Sequence, residues 1–324
     1  MLSGKELILA TKPFVKEDRT KSWLHLLSTL LFLLCAESGA LFIPNIFVKA
    51  VCTMLLSLLM VRMFVIYHDF QHHAILHRSK PANVIMTLYG LLVLVPSSIW
   101  KRSHDYHHAH NSKLFSASIG SYPIATKSKF KSMTSGEKRL YLFVRHPLTI
   151  IFGYIFMFMI GMCANPFLNA PKRHFDCLIA LVLHVAISVG MVLLFGWQVY
   201  FMAMLIPFLI SSFIGAYLFY AQHNFPAVTF SCNQDWKYDV AALESSSFML
   251  MNPFMRYMTA NIGYHHIHHL NSRIPFYRLP EAMAALPELQ KVKTTSFKLK
   301  EINACFKLKV WDPERNRMVG LKQN

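Results

Sequence analysis

The chain has 324 residues, 54% of them hydrophobic, with 26 Phe, 18 Met and a mean hydropathy of +0.35, which excludes an ordinary soluble domain and points to a membrane protein. Its 33 basic residues against 16 acidic ones leave a net charge of +17, which in such a protein marks loops held on the cytoplasmic side against anionic lipid. No nucleic-acid partner is expected, because the basic residues flank apolar runs instead of interleaving with exposed aromatics, and the six scattered cysteines (Cys35, Cys52, Cys163, Cys177, Cys232 and Cys305), with no C-x-x-C pair, read as free thiols.

Residues 1–22 are polar and of mixed charge and lack the apolar core and cleavage site of a signal peptide. They are expected as a cytoplasmic N-terminal segment ahead of a retained first span. Residues 23–42 and 46–67 are each long enough to cross a bilayer, and the tight Ile43-Pro44-Asn45 turn makes them a transmembrane hairpin. The second run delivers His68 and His72 at its end, where Arg78 and Lys80 suggest the cytoplasmic side. Residues 83–100 are apolar, interrupted by Pro96, and lead straight into Lys101, Arg102 and His104. If the histidines on both sides of this run meet at one metal site, a single crossing would leave them on opposite faces. The run is therefore expected to be interfacial or re-entrant.

The segment 111–145 is polar and basic, as suits a cytoplasmic loop. Runs 147–167, 177–195 and 199–221 follow before His223. The first of these is flanked by Arg145 on one side and Lys172 and Arg173 on the other, which makes it the second non-spanning candidate. The expected fold is all-α and multi-pass, with about four spanning helices, two interfacial or re-entrant apolar segments, and a cytoplasmic cap that carries the histidines. Its divisions are the N-terminal segment 1–22, a membrane domain over 23–285, and a basic cytoplasmic tail over 286–324.

The histidines are the chemical signal. His265, His268 and His269 stand at i, i+3 and i+4, which puts three imidazoles on one helix face, and His104, His107 and His108 repeat the spacing. With 17 His in the chain, a given one carries two more at +3 and +4 by chance with a probability of roughly 0.003, so two such clusters are not an accident of composition. His68 and His72 form a related i, i+4 pair. His73 and His77 share that spacing, which leaves the register open between His72 and His73, with His72 preferred. Neutral imidazole binds transition metals, whereas Mg and Ca want oxygen. The ligand count exceeds one ion and suggests two. A redox-active pair beside acyl chains suggests oxygen activation, because a saturated methylene offers neither an acidic proton nor a leaving group. Asp69 and Asp105 each follow a motif histidine, and either could accept the second ring N–H of a ligand and fix its tautomer. His110 and His266 do not fit the spacing. His25, His146, His174 and His184 are single, and His184, inside a span, is read as a hydrogen-bonded structural residue.

At His-Asp-Phe-Gln-His (68–72), His-Asp-Tyr-His-His (104–108) and Ile-Gly-Tyr-His-His-Ile-His-His-Leu-Asn-Ser-Arg-Ile-Pro (262–275), the chain resembles the membrane fatty acid desaturases, specifically the bacterial acyl-lipid type. The resemblance covers about residues 45–285. It implies two non-haem Fe ions, O2 as co-substrate, an acyl lipid or acyl thioester as substrate, and two electrons from a separate ferredoxin or cytochrome b5. It also implies a bacterial inner membrane with the active site on the cytoplasmic side. His223, in Ala-Gln-His-Asn-Phe-Pro, stands where the family places a further ligand after the last span, which makes the expected set His68, His72, His104, His107, His108, His223, His265, His268 and His269. Pro226, Ala227 and Val228 depart from the acidic and aromatic continuation of near relatives.

Two rival readings remain. A hydroxylase or ketolase could use the same scaffold, and a membrane metal transporter or sensor could hold the same ligands, although transport sites usually lie near the bilayer midplane on the spans and these histidines sit at span ends. Because ligating imidazoles must be neutral, activity is expected to fall as pH drops through about 6.5.

Overall fold

The computed structural model describes residues 2–114, 122–231 and 234–321. Cys232 lies outside the described residues, and the other five cysteines are free thiols. Helix α1 (Arg19–Phe42) begins where the Asp18 carboxylate accepts the Lys21 N–H, and α2 (Ile46–Gln71) begins where the Asn45 side chain accepts the N–H groups of Phe47 and Val48. Pro44 stands between them and cannot continue α1. The two helices pack as an antiparallel hairpin, and Gly39 marks their close approach, since a Cβ there would meet the Cys52 side chain.

Residues 83–100 are two helices, α3 (Lys80–Leu92) and α4 (Ser97–Ala109), bent by 94°. Pro96 caps α4 in an extended conformation, and Leu94 before it has φ of 62°, so the chain turns where proline removes the N–H that a continuous helix would need. Asp176 completes the start of α4. Its carboxylate accepts the Ser98 N–H at 3.1 Å and the Ser98 hydroxyl at 2.5 Å. Residues 147–167 break into Pro147–Ile151, a wide π-helical stretch over Tyr154–Ala164, and Asn165–Asn169. Helix α5 (Phe175–Phe195) reverses at Gly196, whose φ of 82° suits a residue with no side chain, into α6 (Trp197–Ala221).

Among the described residues four helices, α1, α2, α5 and α6, are long and apolar enough to cross a membrane. Leu193 and Leu194, 79% and 78% exposed, are among many large apolar side chains on their outer faces, a surface at home in lipid and not in water. Within α5, His184 bonds Tyr154.

Beyond α6 lie α7 (Pro253–Met258) and α8 (His265–Leu270). The all-α expectation is met apart from two small ladders among the described residues: β1 (Phe248–Leu250) runs parallel to β2 (Thr294–Ser296), and β3 (Val310–Asp312) antiparallel to β4 (Arg317–Val319). The segment expected as a basic cytoplasmic tail packs against the helices. Helix α9 (Leu299–Lys307) buries Cys305 and turns Phe306 onto Tyr217 and Tyr220, with ring centroids 5.8 and 5.6 Å apart, while Lys300 and Lys307 stay exposed. Trp311 is buried edge-on against Phe230. The tail's basic count conceals an amphipathic helix, and that is why it folds back.

Candidate metal centre

Four helix ends converge at one place. Helix α2 carries His68 in its last turn, and His72 caps it. Helix α4 carries His104, His107 and His108, α6 stops just before His223, and α8 is itself the third histidine motif. All nine imidazoles are buried, and they sort into two groups. His68, His72, His104, His108 and His268 form one, and His107, His223, His265 and His269 the other, with the potential ligand atoms of each group within 4.8 Å of one another. The groups abut, because the His108 and His269 rings stack at 4.3 Å. The i, i+3, i+4 spacing thus serves both groups at once. His104 and His108 face one way and His107 the other, as His268 does relative to His265 and His269.

In the first group, His104 Nε2 stands 2.8 Å from His68 Nε2 and 3.2 Å from His108 Nε2, and His108 Nε2 is 3.0 Å from His268 Nε2. In the second, His269 Nε2 is 3.2 Å from His107 Nε2 and 3.0 Å from His265 Nε2, which is 2.9 Å from His223 Nε2. A neutral ring nitrogen holds either a proton or a lone pair. His223 Nδ1–H donates to the Ser245 carbonyl at 3.0 Å, and His68 Nδ1 lies 3.2 Å from the Asp69 carboxylate, so both rings present a lone pair at Nε2. Lone pairs converging at this range repel unless a cation lies between them. A transition metal binds imidazole nitrogen at about 2.1 Å, and two such nitrogens at a right angle stand about 3.0 Å apart, which is the spacing seen in both groups. His72 Nε2 is buried with no hydrogen-bond partner. No sulfur or carboxylate joins either group among the described residues, and an all-imidazole set favours transition metals over Mg or Ca. The residues fit a pair of such ions.

Burial is the chief cause of the electrostatics here. His265, His268 and His269 are held well below the usual imidazole pKa by desolvation and then by neighbouring imidazoles. Burial pushes His223 down to about 4, partly offset by its bond to Ser245.

The two carboxylates part company. Asp69 is buried, lies beside His68, and accepts the Phe276 N–H at 2.7 Å. Asp105 does not join the imidazoles. It is 51% exposed and pairs with Lys101 at 2.9 Å, because α4 turns that residue outward. His73 packs tilted against His77 away from both groups, His110 stacks on Tyr106, and His266 bonds the Leu289 carbonyl at 3.1 Å. His174, read as single, lies with Asp176 and Cys177, but its ring bonds the Ser98 hydroxyl at 2.8 Å at the foot of α4. Sequence reasoning passed over Trp100, which stacks on His104 at 4.7 Å and stands four residues before it on the same face. It also missed Tyr238, whose hydroxyl donates to the His269 carbonyl at 2.6 Å and carried no motif signal.

An apolar cavity adjoins both groups. Val61, Phe64, Val65, Leu218, Phe219 and Ile262 line it together with His68, His104, His107 and His265. A second space of about 380 Å³, toward Met60, Tyr89, Phe158 and Phe208, shares Val61, Phe64 and Gly215 with it.

Comparison with known proteins matches residues 44–297 to the profile of the family described as fatty acid desaturase. The chain is 32% identical over 264 residues to a fatty acid desaturase of Bacillus subtilis (strain 168), covering 81% of this chain and 74% of that protein. It is 26% identical over 239 residues to the sn-1 acyl-lipid omega-3 desaturase (ferredoxin) of Nostoc sp. (strain 36), covering 69% and 63%. To the chloroplastic omega-6 fatty acid desaturase of Arabidopsis thaliana it is 24% identical over 229 residues, covering 69% and 50%. The chain thus spans between half and three quarters of the length of these relatives. Since the matched region contains every one of the nine clustered histidines, the chain belongs to the fatty acid desaturase family.

Proposed function

We propose that this protein removes two hydrogens from adjacent methylenes of a long acyl chain, with one iron ion held by His68, His72, His104, His108 and His268 and another by His107, His223, His265 and His269. The observation that carries this reading is the apolar cavity that touches both imidazole groups. When bound, iron supplies the oxidation that an unactivated methylene requires: O2, two electrons and two protons enter, two waters leave, and a C=C bond remains. The protein's own residues do the rest. Val61, Phe64, Leu218 and Phe219 hold the chain by dispersion and exclude water. Asp69 and the Ser245 carbonyl keep the protons of His68 and His223 on Nδ1, leaving Nε2 free to bind. Trp100 covers the His104 ring.

The electron donor is a separate protein, and the ferredoxin in the name of the Nostoc relative supports that class. The basic residues of segment 122–145 and of the C-terminal segment support a cytoplasmic face for the histidines, in a bacterial inner membrane. The test is gas chromatography with mass spectrometry of total fatty acids, with double-bond location, from a desaturase-free host expressing the chain or its His268→Ala variant. A new unsaturated acid made only by the intact protein is expected. A hydroxy or keto product, or an unchanged profile when ferredoxin and its reductase are supplied, would reject the proposal.

A further inference from the structure

Arg62 lies on α2, inside a helix apolar enough to cross a membrane, and is 1% exposed. A charge in that position is costly unless something answers it. Yet no ion pair among the described residues involves Arg62. Its Nε donates to Thr29 Oγ1 at 3.0 Å, one Nη to the Tyr257 carbonyl, and the other to His25 Nδ1 at 3.1 Å, while its guanidinium sits 3.9 Å above the Tyr257 ring. Every one of these partners is neutral, and three of the five N–H groups of an arginine are used.

Arg62 faces a cavity that a second arginine, Arg256, also lines, together with His25, Tyr257, Asn261, Phe276 and Tyr277. No carboxylate lines it. The one side-chain hydrogen bond of Arg256 among the described residues, to the Tyr264 hydroxyl, is a long 3.5 Å. The cavity shares no lining residue with the apolar space beside the histidines. Its depth follows from helix geometry: Arg62 precedes His68 by six residues, about 9 Å along α2. His25 likewise lies six residues into α1. Beside it, Phe254 and Tyr257 on α7 are 51% and 42% exposed, which is what aromatic side chains at a membrane–water boundary look like. Two guanidinium groups that line one cavity, with no carboxylate partner among the described residues, ask for an anion with several acceptor oxygens.

We propose that this cavity binds a phosphate group, held by the free N–H groups of Arg62 and by Arg256, with the second amide N–H of Asn261, beyond the one it gives the Phe276 carbonyl, as a neutral donor. The site is independent of the desaturase reading, because its readout is binding and not turnover. The test is native mass spectrometry of the full chain, purified in detergent and titrated with dihexanoyl phosphatidylglycerol. Wild type, Arg256→Gln and Arg62→Gln are compared, with Lys138→Gln, away from the cavity, as control. One lipid retained per wild-type and control chain is expected, with retention weakened about tenfold or more in Arg256→Gln, as loss of one charged hydrogen-bonding partner requires. Arg256 is half-buried at the rim, so this variant tests the site even if Arg62→Gln fails to fold. If excess inorganic phosphate displaces the lipid, the ligand is a soluble phosphate; if it does not, the ligand is a lipid headgroup. Equal retention by wild type and Arg256→Gln would overturn the proposal.

Discussion

Asp69 and Asp105 stand at the same offset from a motif histidine, yet one lies beside His68 under the Phe276 N–H and the other reaches Lys101 at the surface. Asp69→Asn should therefore lower iron content or turnover by about 10- to 100-fold, as carboxylates that orient a ligand do, while Asp105→Asn should stay within about twofold, as exposed substitutions do. Iron per chain by mass spectrometry and product formation, measured side by side, separate the two; equal losses would contradict the assignment. Burial also revises the pH expectation. With His223 held at about 4 and His265, His268 and His269 also depressed, these four imidazoles resist protonation well below 6.5. In chelator-treated protein the unfolded chain takes up protons first. Stability is then full above about 6.5 and declines as pH falls toward about 4, at up to about 1.4 kcal/mol per pH unit for each such histidine. A melting temperature unchanged between pH 7 and pH 5 would contradict this.

At the scale of elements, the hairpin of α1 and α2 sets where the first histidines emerge, and its closest approach is at Gly39 against Cys52. Gly39→Val should destabilise the protein by about 1–3 kcal/mol through overpacking. Cys52→Ala in the same chain should restore part of that loss, because it removes the atom in the way. Thermal unfolding of the two single variants and the double in detergent provides the test, and no recovery in the double would mean that the strain lies elsewhere. The boundaries of the hairpin were legible in Pro44 and Asn45, since a proline stop and an asparagine cap act locally. The bend between α3 and α4 was only half legible. Pro96 marks a break, but the direction of α4 depends on Asp176, about eighty residues away.

For the whole molecule, the inference from parity rests on His68 and His104, whose Nε2 atoms stand 2.8 Å apart on either side of an apolar run. The chain must leave and return to one level there. If the 147–167 segment behaves likewise and the histidine face is cytoplasmic, as proposed above, Lys127 and Lys172 both face the cytoplasm, and a membrane-impermeant amine reagent should label them only after cells are opened; labelling of either in intact cells would overturn that topology. By itself the sequence determined the spans, the histidine clusters and the expectation of two ions, because hydrophobic length and imidazole spacing are properties of contiguous residues. Tertiary packing alone decided how nine imidazoles divide into five and four, which aspartate lies beside a clustered imidazole, how the basic C-terminal segment docks, and that Arg62 and Arg256 face one cavity. Those outcomes depend on which helix faces meet, and residues far apart in the chain set them jointly.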